Sequence, residues 1–202
     1  MKNALTICTL ISAFCGVRMA PGQVAPLPYS DTEAYAVYSF VMRDEWPARA
    51  AKAKKLVIQT ETTDFPRFGN DKTDCLAPAK GEEATYAPVI AAYRELNKKS
   101  WLLQPKFDAS IPFQIVPKAS IEDLFTRKGI DGWNDFYAKY PDSGGAISMS
   151  AVGFNADKTI AIVYMGHSCG GLCGGGNYHV LRKTDGKWSE IRWLGLTCSW
   201  AS

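Results

Sequence analysis

Near the C-terminus two alternating, β-like runs, residues 159–165 and 177–183, flank the segment His167-Ser168-Cys169-Gly170-Gly171-Leu172-Cys173-Gly174-Gly175-Gly176. It holds two cysteines, one histidine and five glycines. Glycine loses more conformational freedom on ordering than any other residue, so such a connection needs a restraint. Two cysteines four apart supply one by closing a small ring, whereas free thiols would make the segment a place for chemistry. Which holds depends on the redox compartment, and the N-terminus speaks to that.

Residues 1–22 read as a secretory signal. Lys2 is a short basic lead, and residues 4–17 are an apolar run too short to span a bilayer comfortably. Cleavage after Gly22 places small residues, Ala20 and Gly22, where they are wanted. Lipid attachment at Cys15 is disfavoured by the bulky Phe14 before it. The expectation is a periplasmic or secreted protein with no integral membrane span once the signal is removed. Losing Lys2 and Arg18 with no acid takes the formal charge from +3 to +1. A near-neutral chain carries no electrostatic footprint for nucleic acid. The cluster Lys52, Lys54 and Lys55 reads as a solvated helix end.

Cys8 and Cys15 depart with the signal, which leaves Cys75, Cys169, Cys173 and Cys198 and three connectivities. The favoured arrangement joins Cys169 to Cys173 and Cys75 to Cys198. The long-range bond would contribute about 4–5 kcal/mol on the chain-entropy view.

Residues 23–202 read as one domain. Pro21, Pro26 and Pro28 hold an extended leader, and Ser30 with Glu33 makes a capping-box pattern for a helix to about Arg43. Residues 55–60 read as a buried strand. Residues 61–84 form a long polar connection tied down by Cys75. Thr85 caps a helix to about Asn97, residues 111–116 form a short strand, and Ser120 and Asp131 open two short helices before Pro141. Four β-like segments follow, at 146–154, 159–165, 177–183 and 187–194, with turns at Asn155-Ala156-Asp157-Lys158 and Thr184-Asp185-Gly186. Helices first and strands later, without βαβ alternation, predict an α+β fold: N-terminal helices packed on a C-terminal four-stranded antiparallel meander. Several glycines of 166–176 are then expected at positive φ.

Motif chemistry is thin. No glycine pair is followed by Lys-Ser/Thr and a helix, so a phosphate cradle is absent and no cofactor is implied. His167, Cys169, Cys173 and His179 form a zinc-compatible set, but an exported chain tends to oxidise the thiol pair. A CxxxC spacing also departs from the usual knuckle, so no metal is expected. His167 is two residues from Cys169, a spacing that rarely gives productive nucleophile–base geometry. Ser143 lies in Asp142-Ser143-Gly144-Gly145, outside any nucleophile elbow. The aromatics Trp133, Phe136, Tyr137, Tyr140, Phe154, Tyr164, Tyr178, Trp188, Trp193 and Trp200 are expected mostly in the core.

Trp133, Phe136-Tyr137, Tyr140-Pro141, Ser143, Gly145, Val152-Gly153-Phe154-Asn155, Asp157, Thr159, Ala161 and Val163-Tyr164 form a pattern. It continues through Cys169-Gly170, Leu172-Cys173-Gly174, Gly176, Tyr178, Leu181, Lys183, Gly186 and Trp188, with Tyr35-Ala36-Val37-Tyr38-Ser39 and Leu56-Val57-Ile58 upstream. This pattern resembles a family of uncharacterised exported bacterial proteins. The resemblance implies an envelope or secreted location and a single domain, and carries no activity. The expectation is therefore a binding or envelope-associated module for an unknown envelope or extracellular ligand. The alternative is a small extracytoplasmic hydrolase using the His167–Cys173 loop or Ser143.

Overall fold

The computed structural model describes residues 25–45, 53–64, 76–78, 80–126, 132–191 and 199–201. In chain order the elements are β1 (Leu27–Pro28), α1 (Thr32–Phe40, continued by a π-helical turn, Val41–Glu45), β2 (Lys55–Gln59), α2 (Glu83–Leu96), β3 (Trp101–Leu102), β4 (Phe113–Val116), α3 (Lys118–Thr126) and α4 (Gly132–Lys139). They continue with β5 (Ser143–Met149), β6 (Gly153–Phe154), β7 (Ile160–Gly170), β8 (Cys173–Thr184), β9 (Lys187–Glu190) and β10 (Ser199–Ala201).

Leu56, Val57 and Ile58 of β2 are at most 1% exposed, which requires cover on both faces of that strand. It lies inside the sheet, with β4 parallel on one edge and β5 parallel on the other. From β5 the sheet continues antiparallel through β7, β8 and β10, while β6 pairs with β7 and β9 with β8. Among the described residues this is one eight-stranded mixed sheet, with β1 and β3 as a small parallel pair beside it. The expected four-stranded antiparallel meander with helices in front of it is therefore overturned. A parallel pair needs a crossover, and the helices are those crossovers: α2 lies between β2 and β4, and α3 with α4 between β4 and β5.

The helices cover both faces. On one, Val37, Tyr38, Val41 and Met42 of the first helical segment pack with Leu56, Ile58, Ile147, Met149, Val163 and Met165. On the other, Val89, Ile90 and Tyr93 of α2 pack on Ile160, Ile162, Tyr164 and Val180. Ile121 of α3 and Phe136 of α4 close over Val57 and Ala146 on that same face.

Local signals shift by a residue or two. Asp31, not Ser30, caps α1, its Oδ1 accepting from the Glu33 amide at 3.0 Å. Glu33 is thereby released to accept from Lys183 Nζ and Trp188 Nε1, each at 2.8 Å. α2 starts at Glu83 without a side-chain cap, so Thr85 lies inside it. α3 starts at Lys118, before Ser120. The expected 146–154 strand is split, because the Ser150 hydroxyl accepts from the Tyr164 amide at 2.8 Å and interrupts the ladder. Asp131, Trp46-Pro47, Trp193, Cys75, Cys198 and the proposed signal fall outside the described residues.

The cysteine-glycine segment is not an irregular loop. β7 and β8 stay paired through it, with His167 opposite Gly175 and Ser168 opposite Gly174, shift register once between Ser168 and Gly170, and turn only at Gly171-Leu172. Positive φ occurs instead at Gly81, Gly145 and Gly186, and at Asp142, Lys158 and Asp185. Gly166 and Gly176 are required for space rather than conformation. A Cβ on Gly176 would stand 2.5 Å from both the Tyr164 hydroxyl and Trp200 Nε1, and one on Gly166 would collide with the same hydroxyl.

Candidate functional site

Alternation along each strand places residues two apart on one face. On the face bearing α2, α3 and α4 this aligns Val57 and Gln59 of β2 with Ala146 and Ser148 of β5 and with Ser168 and Gly166 of β7. Register pairs Ala146 with Ser168, Ser148 with Gly166, and Gly166 with Gly176. Gln59 lies one step beyond the Ile58–Ile147 pair, which brings it alongside Ser148. The result is a floor of short side chains and glycine between two helical covers.

Over this floor stands an aromatic wall. Phe125 of α3 and Trp133 of α4 meet edge to face, with ring centres 4.9 Å apart, and Trp133 in turn meets Phe136 edge to face and Tyr137 at a tilt. Between wall and floor lies a cavity of about 270 Å³, lined by Gln59, Ile121, Phe125, Trp133, Ala146, Ser148 and Ser168. None of these seven residues is titratable. Gln59 Oε1 is buried there without a hydrogen-bond partner among the described residues. Leaving a buried amide oxygen unsatisfied costs about 1–3 kcal/mol, a cost that a turn of the Gln59 amide toward the cavity would relieve where a guest brings a donor.

Beside the cavity, across Gly166 and Gly176, sits a polar aromatic cluster. The Tyr164 hydroxyl accepts from Trp200 Nε1 at 2.9 Å. The hydroxyls of Tyr93 and Tyr178 both donate to Asp64 Oδ1, Tyr178 at 3.2 Å. Burial pushes the Tyr164 phenol up to about 12 and raises those of Tyr93 and Tyr178 further from their ordinary range. All three remain neutral at physiological pH and act as fixed hydrogen-bonding groups rather than as bases.

The sequence-predicted residues lie around this site in distinct ways. Cys169 and Cys173 are joined by a disulfide, with Cα atoms 5.0 Å apart, at the tip of the β7–β8 hairpin. Tyr137 of α4 donates to the Cys169 carbonyl at 2.8 Å, which ties the aromatic wall to the hairpin. Ser168 reaches the cavity, while His167 points to the opposite face, where its Nε2 donates to the Gly144 carbonyl at 2.5 Å. Its Nδ1 stands 3.7 Å from Cys169 Sγ. His179 is 4% exposed; its Nδ1 faces Glu190 Oε1 at 2.9 Å and its Nε2 faces the Asn177 amide nitrogen at 3.3 Å. Ser143 Oγ is buried and has no hydrogen-bond partner among the described residues, so neither histidine serves it as a base. Among the described residues no group of three or more His, Cys, Asp or Glu side chains is placed to hold a metal ion.

Sequence reasoning missed Gln59, Ser148 and Ser168, and placed Trp133 simply in the core. A signal existed: three polar residues stand in strands that are otherwise apolar, on the inward phase, where a polar side chain needs a reason. What the pattern lacked was the parallel β2–β5 pairing that brings Gln59 beside Ser148.

No protein-family model, curated protein or solved structure matches the chain. Among the described residues no helix is long and apolar enough to cross a membrane.

Proposed function

We propose that this chain is an exported binding module whose cavity between the α3–α4 wall and the β2–β5–β7 floor holds a small, uncharged ligand. The guest presents an apolar face to Trp133 and Phe125 and a hydroxyl or amide edge to Gln59, Ser148 and Ser168. The observation that carries this reading is an uncharged cavity lined by Gln59, whose buried Oε1 has no hydrogen-bond partner among the described residues. A volume of about 270 Å³ suits a single sugar ring or an aromatic amide. A flat ring stacked on indole gains dispersion without needing charge.

Export is supported by Lys2 and the apolar run after it, and by the disulfide, a bond that persists in oxidising compartments. The sequence resemblance to exported bacterial proteins agrees with this reading.

The test is amide chemical-shift mapping of the oxidised protein against neutral monosaccharides and benzamide-like fragments. Saturable shifts should cluster at Gln59, Trp133, Ser148 and Ser168. Binding confined to other surfaces, or a silent cavity across the whole set, overturns the proposal.

A further inference from the structure

The segment that sequence spacing discounted brings a base and a sulfur together. His167 and Cys169 are two apart on β7, so they share a face despite the register shift between Ser168 and Gly170. With His167 Nε2 committed to the Gly144 carbonyl, the ring is held so that Nδ1 faces Cys169 Sγ at 3.7 Å. The two sulfurs differ in surroundings: Cys173 is exposed, whereas Cys169 is half-buried beside the imidazole. Next to Cys173, Leu172 at the turn is 91% exposed, so both residues of the outer end of the hairpin face solvent.

The backbone around the bond is secured independently of it. The Ser168–Gly174 and His167–Gly175 pairs continue the ladder to the tip. Tyr137 holds the Cys169 carbonyl at 2.8 Å, and Gly145 packs with no room for a side chain against Ser168 and Cys169. Opening the bond therefore loosens only the tip beyond the Ser168–Gly174 pair and keeps the two thiols within reach of each other, as a reversible couple requires.

We propose that Cys169–Cys173 is a thiol–disulfide exchange site that oxidises an external dithiol, with His167 stabilising the released Cys169 sulfur as a thiolate. A thiolate of the dithiol attacks the exposed Cys173 Sγ. The Sγ–Sγ bond breaks, a mixed disulfide forms on Cys173, and the electron pair leaves on Cys169 Sγ. The second thiolate of the dithiol then attacks its own first sulfur and displaces Cys173. The dithiol ends as a disulfide, and its two electrons rest on Cys169 and Cys173. Of the two protons released, one is held by the Cys169–His167 pair as thiolate and imidazolium, and the other by the Cys173 thiol. A leaving sulfur stabilised as thiolate departs faster, which is the role of His167. Gly144, Gly145, Ala146 and Ile147 of β5 carry no titratable side chain, Cys173, Gly174 and Gly175 of β8 carry only the partner cysteine, and α4 contributes Tyr137.

The site is separate from the cavity, so its failure leaves the ligand-binding reading untouched. The test is equilibration of the folded protein in dithiothreitol buffers, followed by alkylation with iodoacetamide and peptide mapping of each cysteine. The Cys169–Cys173 peptide should cycle between oxidised and reduced forms while the far-ultraviolet circular dichroism stays constant. In the reduced protein Cys169 should alkylate with a pH midpoint about one unit or more below that of Cys173. His167→Gln, which can still donate to the Gly144 carbonyl, should bring the two midpoints together and slow reduction about tenfold. A bond that opens only on unfolding, or equal midpoints in the unaltered protein, overturns the proposal. The comparison of the two cysteines needs no variant and decides the matter even if His167→Gln does not fold.

Discussion

The indole nitrogen of Trp200 donates to the Tyr164 hydroxyl across 2.9 Å, directly above two residues that have no side chain. This contact joins β10 at the sheet edge to the centre of β7, and it explains why glycine stands at 166 and 176 in strands that otherwise favour β-branched residues. Tyr164 is 1% exposed and packs against Tyr178 with ring centres 5.7 Å apart, so it has little room to move aside.

Gly176→Ala is therefore expected to destabilise by about 1–3 kcal/mol, the usual cost of overpacking, with Gly166→Ala in the same range. Gly186→Ala is the comparison, because its Cβ meets nothing within 4 Å and its cost comes only from a φ of +76°. Urea unfolding of the three variants measures this. The same variants in Trp200→Ala background should show a smaller penalty at Gly176 and an unchanged one at Gly186, since only the former touches the indole.

Glu33 links the first turn of α1 to the β8–β9 hairpin. Its hydrogen bond from Lys183 holds the carboxyl below the usual carboxylate range; partial burial opposes this and the Trp188 indole reinforces it. A carboxyl lowered on folding stabilises above its unfolded value, near about 4.3, and that contribution is lost as pH falls through the lower folded value. Glu33→Gln should cost about 1 kcal/mol at pH 7, given that the group is partly exposed. The difference between variant and parent should shrink as pH falls below the ordinary carboxylate range and vanish once the folded carboxyl is protonated. Unfolding midpoints at several pH values would show this, and a constant difference across the range would remove Glu33 from the acid response.

The β7–β8 hairpin stays paired up to its turn, with one register shift between Ser168 and Gly170, which changes what its disulfide is expected to do for stability. Closing a ring this small removes only about 2 kcal/mol of unfolded-state freedom on the chain-entropy view. Cys169→Ser combined with Cys173→Ser should thus lower the melting midpoint modestly and leave the core folded. Amide exchange should rise at Gly170–Gly174 and fade by Met165, where the strand is covered on both faces. Exchange that rises along the whole of β7 would show that the tip nucleates the strand pair.

What was legible in the sequence is what local chemistry decides. The turn at 155–159 is made by Asn155 Oδ1 accepting from the Thr159 and Ile160 amides at 2.9 and 2.8 Å, and Asp185-Gly186 takes positive φ at both residues, as a tight hairpin requires. The strands at 55–60 and 111–116 were also readable as strands. Their partners were not. An apolar run such as Leu56-Val57-Ile58 signals burial on both faces but does not say which strands lie on either edge, and three helices intervene before β5 arrives. The candidate cavity was illegible for the same reason, since Gln59 and Ser148 are 89 residues apart and meet only through that parallel pair. The glycines misled in another way. Composition suggested left-handed conformations, while the chain uses them as clearance under two aromatic rings.

Gln59 separates stability from function most directly. Its Oε1 is buried and has no hydrogen-bond partner among the described residues, a condition that costs free energy. Replacing it with Leu removes the polar atom while keeping roughly the same volume between Ser148 and the α3 residues that line the cavity. Gln59→Leu should leave stability unchanged or raise it by up to about 1 kcal/mol, because an apolar side chain of similar shape suits a site walled by Ile121, Phe125 and Trp133. The same variant should lose measurable binding of any ligand that shifts the cavity amides of the parent, since the donor of the guest would then face hydrocarbon. Trp133→Ala provides the contrast: it removes the stacking surface and also opens the α3–α4 contact, so it should lower both affinity and stability, the latter by about 3 kcal/mol. Thermal unfolding with and without ligand resolves the two effects. If Gln59→Leu is destabilised as strongly as Trp133→Ala, the amide has a structural partner in solution and the residue is part of the framework rather than of the site.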